Sequence, residues 1–187
     1  MERVADELAR SEAERACLDA LRELAGGPDG PLERHSVRAY LLAVELAGAE
    51  DIDRELLLCA ALLHDAGLYP GAETKAAYVT DGRVLAERVL APFAWPAERL
   101  TRCGDAVERH HELRSQAARG AEVELLRRAD RIEVSQGLIR EGLDRAVIRD
   151  IRRRIPTKGF VPEILRLLGR AARRRPASLP RIFKPGP

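Results

Sequence analysis

The sequence predicts an all-α fold, a single-domain helical bundle of about seven to eight helices. Three observations carry this. Leu, Ala, Arg and Glu dominate the 187 residues while aromatic residues make up only 4%, which is a helix-forming palette. Apolar residues recur at helical spacing in one segment after another. No segment alternates apolar and polar residues over five positions, so strands are not expected. The hydrophobic share of 45% is enough for a core and excludes a wholly disordered chain.

Taken in order, the first helix covers about residues 3–25, with Val4, Leu8, Leu18, Leu21 and Leu24 as its apolar positions. It stops at the breaker Gly26-Gly27-Pro28-Asp29-Gly30-Pro31. A second runs from Leu32 to Ala47, before Gly48. A third begins around Asp53, capped from Asp51, and ends at the turn Asp65–Gly71. A fourth opens near Thr80 or Asp81, either a good N-cap, and stops before Pro92. Pro96 sits in the first turn of a fifth, which reaches about Glu112. Residues near 121–136, 142–154 and 161–174 supply the rest, ending at Gly137, Pro156 and Pro176. The expected domain is residues 1–175, followed by an extended Pro-rich, basic tail over 176–187.

No stretch approaches 18 uncharged apolar residues, so no membrane span is expected. Cys17, Cys59 and Cys103 are odd in number and lack CxxC spacing, which removes zinc-ribbon and thioredoxin readings and leaves free thiols. The N-terminus alternates charges where a signal peptide needs an apolar run. The expected location is cytoplasmic. The net charge of +2 hides an asymmetry: residues 151–187 hold eleven Lys/Arg against Glu163 alone, leaving the first 150 at −8. Such a segment suits an anionic partner, the chain's own acidic body, or a solvated helix face. Nothing in it matches a DNA-reading motif or an RNA-binding strand, so nucleic acid is not an expected partner.

The four histidines are more informative. His35 continues the stripe Leu32, His35, Ala39, Leu42, Leu46 on one helix face. His64 closes the stripe Leu57, Ala61, His64, with Asp65 beside it at the end of the apolar run from Leu56. Asp130 interrupts the stripe Val123, Leu126, Asp130, Val134. A carboxylate on an apolar helical face needs a partner, because burying an unpaired charge is costly. Each residue alone has an ordinary explanation: a core histidine bonded to backbone, or Asp130 paired with Arg127 or Arg131. Two inward imidazoles and two inward carboxylates together satisfy one another most simply around a divalent cation with open coordination positions.

The order His35, then His64-Asp65 in Ala61-Leu62-Leu63-His64-Asp65-Ala66-Gly67, then Asp130 resembles the H…HD…D signature of the HD-domain superfamily over about residues 30–135. The resemblance implies an all-α bundle with metal ligands His35, His64, Asp65 and Asp130, and metal-dependent hydrolysis of phosphoesters. It implies one divalent ion among Mn, Fe, Co, Ni, Mg and Zn. A second metal is not expected, since only the adjacent His110 and His111 remain and the usual further imidazole is missing. Those two residues are expected to contact substrate or the activated water.

His110-His111-Glu112 resembles the cyclic-dinucleotide branch, but no GYP triplet follows and Leu68 stands where that branch has lysine. The alarmone-hydrolase branch places an acidic pair after its HD, which Ala66-Gly67-Leu68 does not match. The deoxynucleotidase branch uses acidic residues soon after the HD, a role open to Glu73. A cyanamide-hydratase-like branch keeps the same four ligands and hydrates a small nitrile.

The expected reaction is therefore hydrolysis of a small phosphorylated molecule, with a nucleotide as the first candidate, by metal-activated water. Asp65 would also steer a proton, and Glu73 is a second candidate base. Lys75, Arg34 and Arg38 are candidates to bind the substrate's phosphate. Alternatives are a lyase or hydratase acting on a small uncharged molecule, favoured by an apolar pocket without inward Arg or Lys, and a non-catalytic binding module with a closed metal site. Self-association is left open as a homo-oligomer.

Overall fold

The computed structural model describes residues 4–72, 74 and 76–174, and every regular element among them is helical. α1 spans Val4–Leu8, α2 Glu12–Ala25, α3 Pro31–Ala47, α4 Arg54–Leu63 and α5 Tyr78–Leu90. α6 spans Ala97–Arg109, α7 Ala121–Val134, α8 Arg145–Arg154 and α9 Phe160–Arg174. The expected all-α bundle is what the chain forms. No helix among the described residues is long and apolar enough to cross a membrane. The tail expected over 176–187 lies outside the described residues.

Local chemistry explains where the elements depart from expectation. The single helix expected over 3–25 is two, because Ser11 accepts from the Glu14 backbone N–H while the Glu14 carboxylate accepts from the Ser11 N–H, a capping box that starts α2 afresh. α4 is capped by Asp53, whose carboxylate accepts from the Leu56 N–H, and not by Asp51. Neither Thr80 nor Asp81 caps α5, which begins three residues before Asp81. Asp81 is buried inside the helix and accepts from the Thr74 backbone N–H and hydroxyl, so it ties down the preceding loop instead.

α4 is the central rod. Its eight residues Leu56–Leu63 are all buried, and it packs on α2, α3, α5, α6 and α7. A helix apolar on every side has nowhere else to go, and each fully buried leucine is worth about 1.5–3 kcal/mol relative to exposure. The rod ends where it meets α3 and α7, which also pack on each other. The 3₁₀ turn Ala66–Leu68 that follows is pressed against α5. Gly67 permits this: a Cβ there would collide with the Tyr78 carbonyl oxygen and stand 2.6 Å from the Gly82 nitrogen. The last helix, α9, lies across α3 and this same turn.

Candidate metal centre

Four helices deliver polar side chains to one buried point. His35 sits in the second turn of α3 and has no exposed surface. His64 caps the C-terminus of α4, still in helical geometry (φ −58°, ψ −37°), so the inward register of Leu57 and Ala61 continues through it. At Asp65 the chain leaves the helix (φ −103°, ψ −1°), which lets two adjacent side chains face the same spot. Asp130 comes from the inward face of α7, and His110 and His111 from the end of α6.

The geometry is tight. His35 Nε2 lies 3.0 Å from His64 Nε2, 3.5 Å from Asp65 Oδ2 and 3.4 Å from Asp130 Oδ1. His64 Nε2 lies 3.5 Å from Asp65 Oδ2 and 3.8 Å from Asp130 Oδ1. His110 Nε2 is 3.5 Å from Asp65 Oδ1, and His111 Nδ1 is 3.2 Å from Asp130 Oδ2.

The far edges of the rings fix their orientation. His64 Nδ1 is 2.7 Å from the Ala61 carbonyl oxygen and His110 Nδ1 is 2.6 Å from that of Val107, so each donates there and turns a lone pair on Nε2 toward the cluster. His35 Nδ1 faces Glu133 Oε1 at 3.6 Å, and Glu133 is itself held by Arg38 Nε at 2.6 Å. Phe160 of α9 stacks on the His35 ring at 4.4 Å between centroids.

Electrostatics follow from this packing. Burial alone would lower the pKa of His35, but Asp130, Glu133 and Asp65 raise it to about 9. Burial dominates at His64, where the neighbouring rings add to it, and its pKa falls to about 4. Burial opposes ionisation of Asp65 and Asp130, yet the surrounding imidazoles hold both below the ordinary carboxylate range. His111 is raised: burial opposes its charge, and Asp130 outweighs that. Burial pushes the Tyr78 hydroxyl well up, so it stays protonated beside the His111 ring it bonds.

Asp65 Oδ1, Asp130 Oδ1 and His110 Nε2 are buried with no hydrogen-bond partner. The arginines flanking Asp130 on α7 are engaged elsewhere, Arg127 with Glu124 and Arg131 with Glu141. Carboxylate oxygens and imidazole nitrogens converging on one buried point, with these arginines turned away, suit a cation site. Among the described residues, three groups of donors lie mutually within 4.8 Å: His35, His64 and Asp130; His64, Asp65 and His110; His110, His111 and Asp130. The residues fit a divalent metal.

The family model of the HD domain matches residues 32–135, more than half of the chain. The chain belongs to the HD-domain family. Among curated proteins, none matches it. The HD-domain superfamily carries metal-dependent phosphohydrolase-type activity.

The HD-domain signature residues His35, His64, Asp65 and Asp130 are thus brought together, and His110 and His111 both join them. The expectation of a single metal rested on a missing imidazole; both remaining histidines reach the site, where the donor groups overlap at His64, His110 and Asp130. Arg34 and Arg38 are both engaged within the protein. Arg34 bonds the backbone carbonyls of Asp29 and Lys158. Arg38 is fully buried, with its guanidinium on Glu133 and on the Pro156 carbonyl at 3.1 Å. Neither lines the cleft that opens at Asp65, Tyr78 and His111. Glu73 and Lys75 lie outside the described residues.

Sequence reasoning missed Glu133, Tyr78 and Phe160. Glu133 left a signal, one turn after Asp130 on the same face of α7, where the expected stripe instead named Val134. That residue is half exposed. Tyr78 and Phe160 left none, since nothing in their neighbourhood marks them as facing histidines.

A cleft of about 650 Å³ opens onto the cluster at Asp65, Tyr78 and His111, with α9 as its opposite wall. No described Arg or Lys lines it.

Proposed function

We propose that His35, His64, Asp65 and Asp130 hold a divalent metal and that the chain is a metal-dependent hydrolase of a small phosphomonoester. The observation that supports this is the convergence of two imidazole Nε2 atoms and two carboxylates at one buried point, with no arginine or lysine among the described residues bonded to them. The mixed nitrogen and oxygen donor set favours Mn, Fe, Co, Ni or Zn over Mg, which prefers oxygen alone. When bound, the metal lowers the pKa of a coordinated water toward neutrality and polarises a phosphoryl oxygen.

The chain's own residues do the rest. Asp65, ionised and at the cleft floor, accepts and steers the proton of the attacking water. His111, with Nδ1 on Asp130 and Nε2 on the Tyr78 hydroxyl, stands at the same floor and positions that hydroxyl beside the substrate space. Glu133 and Arg38 act through His35 by fixing its ring. The cleft gives the site an open side, which a purely structural metal would not need. The nucleotide expected from the sequence belongs to this substrate class. The same reading places the reaction in the cytoplasm, with Cys17, Cys59 and Cys103 as buried thiols.

A second reading, hydration of a small uncharged molecule, is favoured by the absence of Arg and Lys among the described lining residues. One experiment separates the two: metal analysis of purified protein, then phosphate release from monoesters and, in parallel, hydration of simple nitriles, each with Mn, Co, Ni, Zn or Mg. His64→Ala and Asp65→Ala should lose metal and turnover together. Full metal content and turnover in either variant would remove the ligand assignment. Nitrile hydration without phosphate release would select the second reading.

A further inference from the structure

The wall of the cleft facing the metal centre has its own chemistry. Along α9, Ile164, Leu165, Leu168, Gly169 and Ala172 present a stripe without a single hydrogen-bonding side chain. Val134, one turn beyond Asp130, forms the rim from the other side. Two of these are unusually bare for apolar residues, Leu165 at 64% and Val134 at 52% exposure. Gly169 adds room, because a Cβ built there meets nothing within 4 Å. The polar groups that line the cleft, Asp65, Tyr78 and His111, all lie at the end that touches the metal centre.

A volume of about 650 Å³ is in the range of sites for drug-sized molecules and larger than a phosphate or a small nitrile requires. A nucleoside would bring its base edges and sugar hydroxyls against a wall that offers no partner, and buried polar groups without partners are costly. Additional phosphates would face Asp65 with no described cation near them.

Resting on the hydrolase reading above, we infer that the α9 cleft takes the uncharged apolar body of the substrate, which makes the preferred class alkyl or aryl monophosphates rather than nucleotides. The single phosphoryl group sits at the metal centre and the organic group lies along Ile164, Leu168 and Gly169. The reaction is ROPO₃²⁻ + H₂O → ROH + HPO₄²⁻: the ester P–O bond breaks, a P–O bond to the water oxygen forms, and one water proton ends on the leaving oxygen.

The test uses full-length, metal-loaded protein and two probes whose P–C bond cannot be hydrolysed, methylphosphonate and octylphosphonate, with AMP as the polar competitor. Binding is read by calorimetry, independently of turnover. Partial burial of each added methylene gives about twofold in affinity, so octylphosphonate should bind on the order of a hundredfold tighter than methylphosphonate. Gly169→Leu fills the open space and should remove most of that preference while the helix still forms, since leucine is the better helix former.

In turnover, kcat/KM should rise along ethyl, butyl and octyl phosphate and exceed that of AMP. Equal binding of the two phosphonates, tighter binding of AMP, or a chain-length preference that Gly169→Leu leaves intact would each overturn the inference. So would octylphosphonate binding that vanishes as protein concentration rises, which would mark the cleft as covered by a second copy. Preferential octylphosphonate binding without hydrolysis of any phosphate ester would support the cleft assignment and overturn the hydrolase reading. Faster hydrolysis of AMP than of octyl phosphate would do the reverse.

Discussion

Glu133→Gln probes the residue that links the buried arginine to the metal centre. Glu133 and Arg38 have no exposed side-chain surface, and Arg38 Nε and Nη2 lie 2.6 and 2.5 Å from Glu133 Oε1. Breaking a buried ion pair from one side costs about 3–5 kcal/mol, because it leaves an uncompensated charge. Glutamine keeps the shape and one acceptor, which puts the expected loss near the lower figure, about 3 kcal/mol. In a chain of this size each kcal/mol moves the melting temperature by about 2–4 °C, so Tm should fall by roughly 6–12 °C. Glu133 also faces His35 Nδ1 at 3.6 Å, and losing the carboxylate that orients a metal-binding histidine costs about 10–100-fold in metal affinity.

Thermal unfolding of metal-free protein measures the first effect, and metal titration at fixed pH the second. Adding Arg38→Met to Glu133→Gln removes the stranded cation and should restore much of the stability but not the metal affinity. A single variant with Tm within about 2 °C of the parent and unchanged metal affinity would refute the argument.

The pH dependence of the metal-free protein has two opposed limbs. His35 has a folded pKa of about 9 against an ordinary 6.5, so its stabilisation is complete below pH 6.5 and is lost as pH rises toward 9. His64 has a folded pKa of about 4, so its stabilisation is present above pH 6.5 and is lost as pH falls toward 4. Each limb is on the order of 3 kcal/mol, and Tm in the presence of a chelator should peak near pH 6.5; a flat profile would contradict it. Metal affinity should instead climb about tenfold per pH unit between 6.5 and 9, because a proton must leave His35, and a pH-independent affinity would count against that ligand. Gly67→Ala forces a Cβ into the backbone of α5 and should cost about 3 kcal/mol, read as a Tm loss of roughly 6–12 °C together with weaker metal binding as Tyr78 shifts.

Much of the candidate site was legible in the sequence, for a definable reason. His35, His64 and Asp130 interrupt apolar stripes at helical spacing, and a helix fixes where such residues point without reference to the rest of the molecule. His110 and His111 were visible only as adjacent polar residues at a helix end. Adjacent positions on a regular helix point about 100° apart, so spacing could not say that both reach one point; the end of α6 allows it, as the end of α4 does for His64 and Asp65. Arg38 misled because a buried cation and a substrate-binding cation look alike in sequence. Its true partner, Glu133, lies 95 positions away.

Local rules acting within one or two turns therefore settled the helical class, most element positions and the inward direction of three ligand candidates. The packing of distant segments settled what those residues meet: the stacking of Phe160 on His35, the seating of Arg38 on Glu133, and the apolar wall that α9 lays over the centre. Contacts between helices depend on how whole rods cross, and no single stretch of sequence encodes a crossing.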